Sequence, residues 1–236
     1  MYDIIIQPPE GADGADGTDG QSATQNGAGG QNGSYNKNDN PHCTPATNGQ
    51  PGQNAISAGI SGENGGAGGN GFDFVLRVQE FVTQSMITIE SRGGNGGSGG
   101  RGGNGGNGSA GGSAGQQDSK CQDSLPAALG GVGGNGSNAG HGGNGGNGGN
   151  GGDITVRYVT TSLLSPVSGN SSGGVGGAGG PAGSAGVGGP GGLNGTTPGQ
   201  PPSGASDGAN GVSGTPGTPG ITGRSGAVSV EQVDQL

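Results

Sequence analysis

Two histidines, His42 and His141, two cysteines, Cys43 and Cys121, and 16 carboxylates are the groups with which this chain could do chemistry. The histidines are too few, and too far apart in the repeat described below, to assemble a metal cluster or a base held beside a nucleophile. Matches to the phosphate-cradling pattern G-x-G-x-x-G are abundant, but 68 glycines in 236 residues produce them by chance and no strand-helix-strand pattern surrounds them. Residues 68–76, GGNGFDFVL, fit one calcium-binding nonapeptide, yet a single copy cannot build a β-roll. Asp13, Asp16 and Asp19 share a face at period three; at about 9 Å apart they are too dispersed to chelate one ion, and solvation accounts for them. The chain reads as a non-enzyme without metal or cofactor.

What positions these residues is glycine. Residues 93–115, 130–152 and 173–195 are stretches of 23 residues in which glycine recurs at every third position with almost no error. A period of three fits neither α-helix nor strand, but it fits the left-handed polyproline-type helix, with 3 residues per turn and about 3.1 Å of rise. One glycine per turn makes one bare face and two make two, against which other backbones approach closely enough to pair. Hydrophobic residues are 25% of the chain and aromatics 3%, which rules out a conventional apolar core. Flexible linkers need neither equal block lengths nor strict register, and collagen needs an unbroken proline-rich repeat, which only residues 215–220 resemble.

The blocks alternate with short apolar stretches in an order that repeats about every 75 residues, giving three units, 1–82, 83–164 and 165–236. Strand-like residues 2–7 lead into a glycine block whose phase slips in the middle, 11–33. A loop, 34–57, follows, and a glycine return leads to an alternating strand at 72–79. The second unit runs from 86–92 through the loop 116–129 to 153–160. The third begins less cleanly at 166–172, turns at 196–206 and ends at 227–233. The expected fold is a bundle of about six antiparallel polyglycine II helices joined to a small antiparallel β-sheet, with essentially no α-helix. Each long helix spans about 70 Å. Cys43 and Cys121 both fall in tip loops and are expected to pair in an oxidising compartment, two free thiols being the alternative.

The net charge of −9 argues against nucleic acid and anionic membrane as partners, and no run approaches the roughly 20 apolar residues of a membrane span. The expected setting is extracellular or surface-exposed, although no signal peptide is visible. Asparagine rows such as Asn95, Asn104, Asn107 and Asn144 are expected to face water. Residues 173–195 instead project Val175, Ala178, Pro181, Ser184, Val187, Pro190 and Leu193, either a contact row or a flat, weakly hydrated binding face.

The runs GADGADGTDG at 11–20, GHGGNGGNGGNGG at 140–152 and GGVGGAGG at 173–180 resemble the snow flea antifreeze proteins. That resemblance implies a compact bundle of six antiparallel polyglycine II helices with disulfides. It also implies an ice-binding face, for which Val175, Ala178, Val187 and Leu193 are the candidates. MITIESRGGNGGSGG at 86–100 resembles the tip adhesins of tailed phages, which implies recognition through tip loops, with Tyr35, Lys37, His42 and Lys120 as contacts. The leading expectation is a structural or surface-recognition rod, a filament subunit or adhesin, meeting a surface glycan or protein at its tip and joining copies through the sheet edges at 2–7 or 227–233. The alternative is an ice-binding protein.

Overall fold

The computed structural model describes residues 3–38, 41–82, 85–196 and 200–236. Tyr2 of the expected first strand, residues 39–40 and 197–199 of two tip loops, and residue 83, the expected start of the second unit, lie outside the described residues. Among those described there is no α-helix; there are eight strands and, between them, six long glycine-rich segments. In chain order these are β1 (Ile4–Ile6), segment I (8–33), β2 (Ser34–Asn36), β3 (His42–Thr44), segment II (45–73), β4 (Phe74–Phe81), β5 (Ile87–Ser91) and segment III (92–116). Segment IV (126–153), β6 (Ile154–Thr161), β7 (Val167–Asn170), segment V (171–196), segment VI (203–227) and β8 (Val228–Gln232) complete the chain.

Hydrogen bonds recurring every third residue set the segments in two layers. Gly11, Gly14, Gly17 and Gly20 of segment I donate their N–H groups to the carbonyls of Asn95, Ser98, Arg101 and Asn104 in segment III. Segment III donates in the same way to segment V. Segments II, IV and VI form the second layer by the same rule, as in Gly62 N–H to His141 and Gly142 N–H to Thr215. Within a layer the segments are parallel; between layers they are antiparallel and equally bonded. One zigzag runs from the Ala12 carbonyl through Gly66, Gly97, Gly146 and Gly177 to the N–H of Gly220, with every link between 2.7 and 2.8 Å. It joins all six segments at one level. Buried backbone groups have to be paired, and here they pair with each other without side chains between them.

The phase slip in segment I is matched across the bundle. Ala23 and then Gly27 bond to Asn107 and Ala110 of segment III, and Ala55 and then Gly59 bond to Asn135 and Asn138 of segment IV, so each of segments I and II carries one extra residue at the same height. Serine replaces glycine there. The Ser109 hydroxyl donates to the Gln25 carbonyl at 2.6 Å and accepts the Gln53 N–H at 2.8 Å, and the Ser137 hydroxyl donates to the Ser57 carbonyl at 2.7 Å and accepts the Gly106 N–H at 2.8 Å.

At the base the strands continue their segments. The expectation of one small antiparallel sheet is corrected: there are two three-stranded sheets, ordered β1-β5-β7 and β4-β6-β8, and both are parallel. The cause is layering. Strands that extend parallel segments of one layer emerge side by side in the same direction, while the antiparallel partner lies in the facing layer. The expected irregular start of the third unit is also a strand, β7. Ile89, Ile154, Val156, Tyr158, Val167 and Phe81 are buried between the sheets, with Phe74, Leu76, Val78 and Ile4 packed against them. Gly169 of β7 sits where a Cβ would touch Ile154 of the facing sheet and push a Val228 methyl aside, so the small residue lets the two sheets approach closely.

Candidate functional site

The residues able to meet a partner lie at the tip, on the two outer faces and along the sheet edges. At the tip, β2 and β3 pair antiparallel, with Tyr35 opposite Cys43 and Asn36 opposite His42. Cys43 is disulfide-bonded to Cys121, which is fully buried in the turn between segments III and IV. The bond ties the first hairpin tip to the second. Lys120 stands 5.1 Å above the Tyr35 ring, a cation–π contact. Tyr35 and Lys120 therefore meet on the face braced by the disulfide, whereas the register puts His42, with Asn36, on the opposite, exposed face of the hairpin; Lys37 is exposed next to Asn36 in the chain.

On the outer faces the third-position side chains do more than face water. The Asn95 Oδ1 accepts the Val175 N–H at 2.9 Å, and the next residue, Gly96, donates its N–H to the Val175 carbonyl at 2.9 Å. Asn107 and Gly108 clasp Val187 in the same way, and Asn144 and Gly145 clasp Thr218. Clasps of this kind reach from one segment to the next in the layer, from I to III to V and from II to IV to VI, while Asn194, Asp207 and Asn210 instead accept N–H groups of the facing layer. His141 takes the same place, its Nδ1 accepting the Thr215 N–H at 3.0 Å. Asp13, Asp16 and Asp19, expected to be merely solvated, accept the N–H groups of Ser98, Arg101 and Asn104. Period three alone places these residues on one face; it says nothing about the lateral neighbour that uses them.

This direction of bonding explains the apolar row. Among the described residues no segment lies beyond V in its layer, and the third positions of V carry no asparagine or aspartate: Val175, Ala178, Val187 and Leu193 are exposed, the first at 62%, Val187 at 58% and Leu193 at 62%. Segment VI ends the second layer likewise, exposing Val212 and Ile221. Prolines occur in segment V where no clasp exists. Pro181 and Pro190 accept from Gly102 and Gly111, whose preceding residues are Arg101 and Ala110, neither of which carries a side-chain oxygen. Proline removes an N–H that would have lacked a partner.

The acidic clasps make stability pH-dependent. The Asn104 N–H, bonded at 2.7 Å, together with the Arg101 guanidinium at 3.2 Å, holds the Asp19 carboxyl below its ordinary 3.8, against opposing desolvation. The Thr88 N–H and hydroxyl lower Asp3 in the same sense. A carboxylate whose folded-state pKa is depressed contributes stability that is full above its unfolded value and is lost as pH falls through the folded one. The melting temperature is expected to be flat from pH 7 to about 5 and to fall below about 4. Asp19→Asn, which keeps the acceptor oxygen, should shrink that fall; thermal melts from pH 7 to 3 on both proteins check it.

No helix among the described residues is long and apolar enough to cross a membrane. No protein-family model and no curated protein matches the chain. Among solved structures, it is similar to the nine polyproline type II helical bundle springtail antifreeze protein from Granisotoma rainieri. The identity is 26%, covering 84% of this chain and 96% of that one, with a TM-score of 0.11, too low for the likeness to carry any argument below.

Proposed function

We propose that this chain is a non-enzymatic rod of six polyglycine II helices in three units, 1–82, 83–164 and 165–236, that holds a recognition tip away from its base. The observation that supports this best is the six-segment hydrogen-bond lattice, which leaves no room for bulky side chains between backbones and commits His141 and the Asp13, Asp16 and Asp19 row to backbone N–H groups. Chemistry is left to the ends. The tip carries Tyr35, Lys37, His42 and Lys120 toward a surface glycan or protein. At the base, β1 and β8 are outer strands of their sheets and offer edges for joining copies. The disulfide suits an extracellular or surface-exposed setting.

Small-angle scattering tests the rod. A glycine lattice of about 70 Å plus the basal strands makes about 100 Å, which corresponds to a radius of gyration of about 30 Å. A compact chain of this length would give about 18 Å and an unfolded one about 53 Å, and either value would end the proposal.

One observation favours a second reading, ice binding: Val175, Ala178, Val187 and Leu193 are exposed along one row, at multiples of three residues apart. Partition of the oxidised protein into a slowly growing ice front, against Val175→Asn/Val187→Asn, tests it. Enrichment lost in the variant would carry the ice reading; exclusion of both proteins would remove it. Replacing residues 35–42 with a short turn should abolish tip recognition and leave any ice enrichment unchanged.

A further inference from the structure

The sequence contains 14 Asn-Gly dipeptides. In such a pair the glycine nitrogen attacks the asparagine Cγ: an N–Cγ bond forms, the Cγ–Nδ2 bond breaks and ammonia leaves with the proton of the glycine N–H. Water then opens the succinimide to aspartate or isoaspartate. Glycine favours the attack because no side chain obstructs its backbone. The isoaspartyl product inserts an extra carbon into the main chain, and a lattice whose bonds recur every third residue loses register at that point.

We propose that the clasps suppress this reaction, so that the rod is chemically long-lived although its sequence is rich in the dipeptide most exposed to deamidation. All 14 asparagines have Oδ1 accepting a backbone N–H of a neighbouring segment. All 14 following glycines donate their own N–H to a neighbouring carbonyl. In 12 of the 14 the residue that gives the N–H is the one that receives it, a two-point clasp; the exceptions, Asn194 and Asn210, divide the two bonds between different residues. The attacking nitrogen and the electrophilic side chain are thus bound to the same external strut. Both bonds must open before the ring can close. The inference concerns the lattice alone and holds whether the tip or a face is the binding surface.

The test is peptide-mapping mass spectrometry of the oxidised full-length chain held at 37 °C and mildly alkaline pH, native and in guanidinium. Each Asn-Gly site is expected to deamidate at least about tenfold more slowly in the native protein, because reaction waits on local opening. Val175→Pro removes the N–H held by Asn95 in a row that already accommodates Pro181 and Pro190, and should raise loss at Asn95 several-fold relative to Asn107 in the same molecule. Val187→Pro should reverse the order of the two sites. Native rates within about twofold of the denatured ones would overturn the proposal, and so would equal rates at Asn95 and Asn107 in both folded variants.

Discussion

Gly143→Ala is expected to lower the melting temperature by about 10 °C, whereas Asn144→Ala, one residue on, should lower it by about 3 °C. Ordinarily a glycine-to-alanine change stabilises a protein by restricting its unfolded chain. Here the sign reverses. A Cβ on Gly143 would overlap the Glu63 carbonyl oxygen, while the same residue donates to Gly100 and accepts from Gly180, both at 2.8 Å. Segment II has to move away from segment IV, and several bonds at about 1 kcal/mol each weaken together with overpacking strain, for a total of about 4 kcal/mol. For a chain of this size each kcal/mol corresponds to about 2–4 °C. Asn144 sits on the outer face, and its removal loses only the bonds to the Thr218 N–H and hydroxyl, at 2.9 and 3.0 Å. Calorimetry on the two variants decides: equal shifts would mean that the lattice does not rest on close backbone approach.

The second large effect is expected from reduction of Cys43–Cys121, or from Cys43→Ser/Cys121→Ser, at about 4 kcal/mol. The bond spans 78 residues, and closing a loop of that size restricts the unfolded chain strongly. The restriction matters more here than in an ordinary domain, because glycine loses the most backbone freedom on ordering. Thermal melts with and without reductant should differ by about 10 °C. Hydrogen exchange should show β2 and β3 losing protection before the lattice does, since the disulfide and the Lys120 contact are what tie that hairpin to its neighbour. A melt indifferent to reductant would place the stability of the tip elsewhere.

The contrast between Gly143 and Asn144 also marks how far the sequence could be read. Which residues are glycine, and at what spacing, sets the local conformation, because only a threefold repeat keeps a bare face aligned over 23 residues. The alternation of Ile154, Val156 and Tyr158 sets a strand with one buried face in the same way, and the position of both cysteines in loops between segments brings them to the same end. These features are local, so they were legible. The Asn clasps were not. Asn95 and Val175 are 80 residues apart, and nothing in either neighbourhood says that one caps the other; a signal existed only in the comparison of outward-facing rows, where asparagine and aspartate recur in segments I to IV and are missing from the row of Val175 to Leu193 in V and of Val212 to Arg224 in VI.

The chain by itself therefore determined the period, the number of segments and the places where they reverse. Only the tertiary structure decided that alternate segments share a layer, and three consequences follow from that single fact. The basal sheets are parallel, because strands inherit the direction of the layer they extend. The polar third positions are bonded rather than merely hydrated, because each has a parallel neighbour at the right height. The apolar row of segment V is exposed because V is the outer segment of its layer among the described residues, and lateral neighbours are set by packing between distant parts of the chain, which a threefold repeat permits in more than one arrangement.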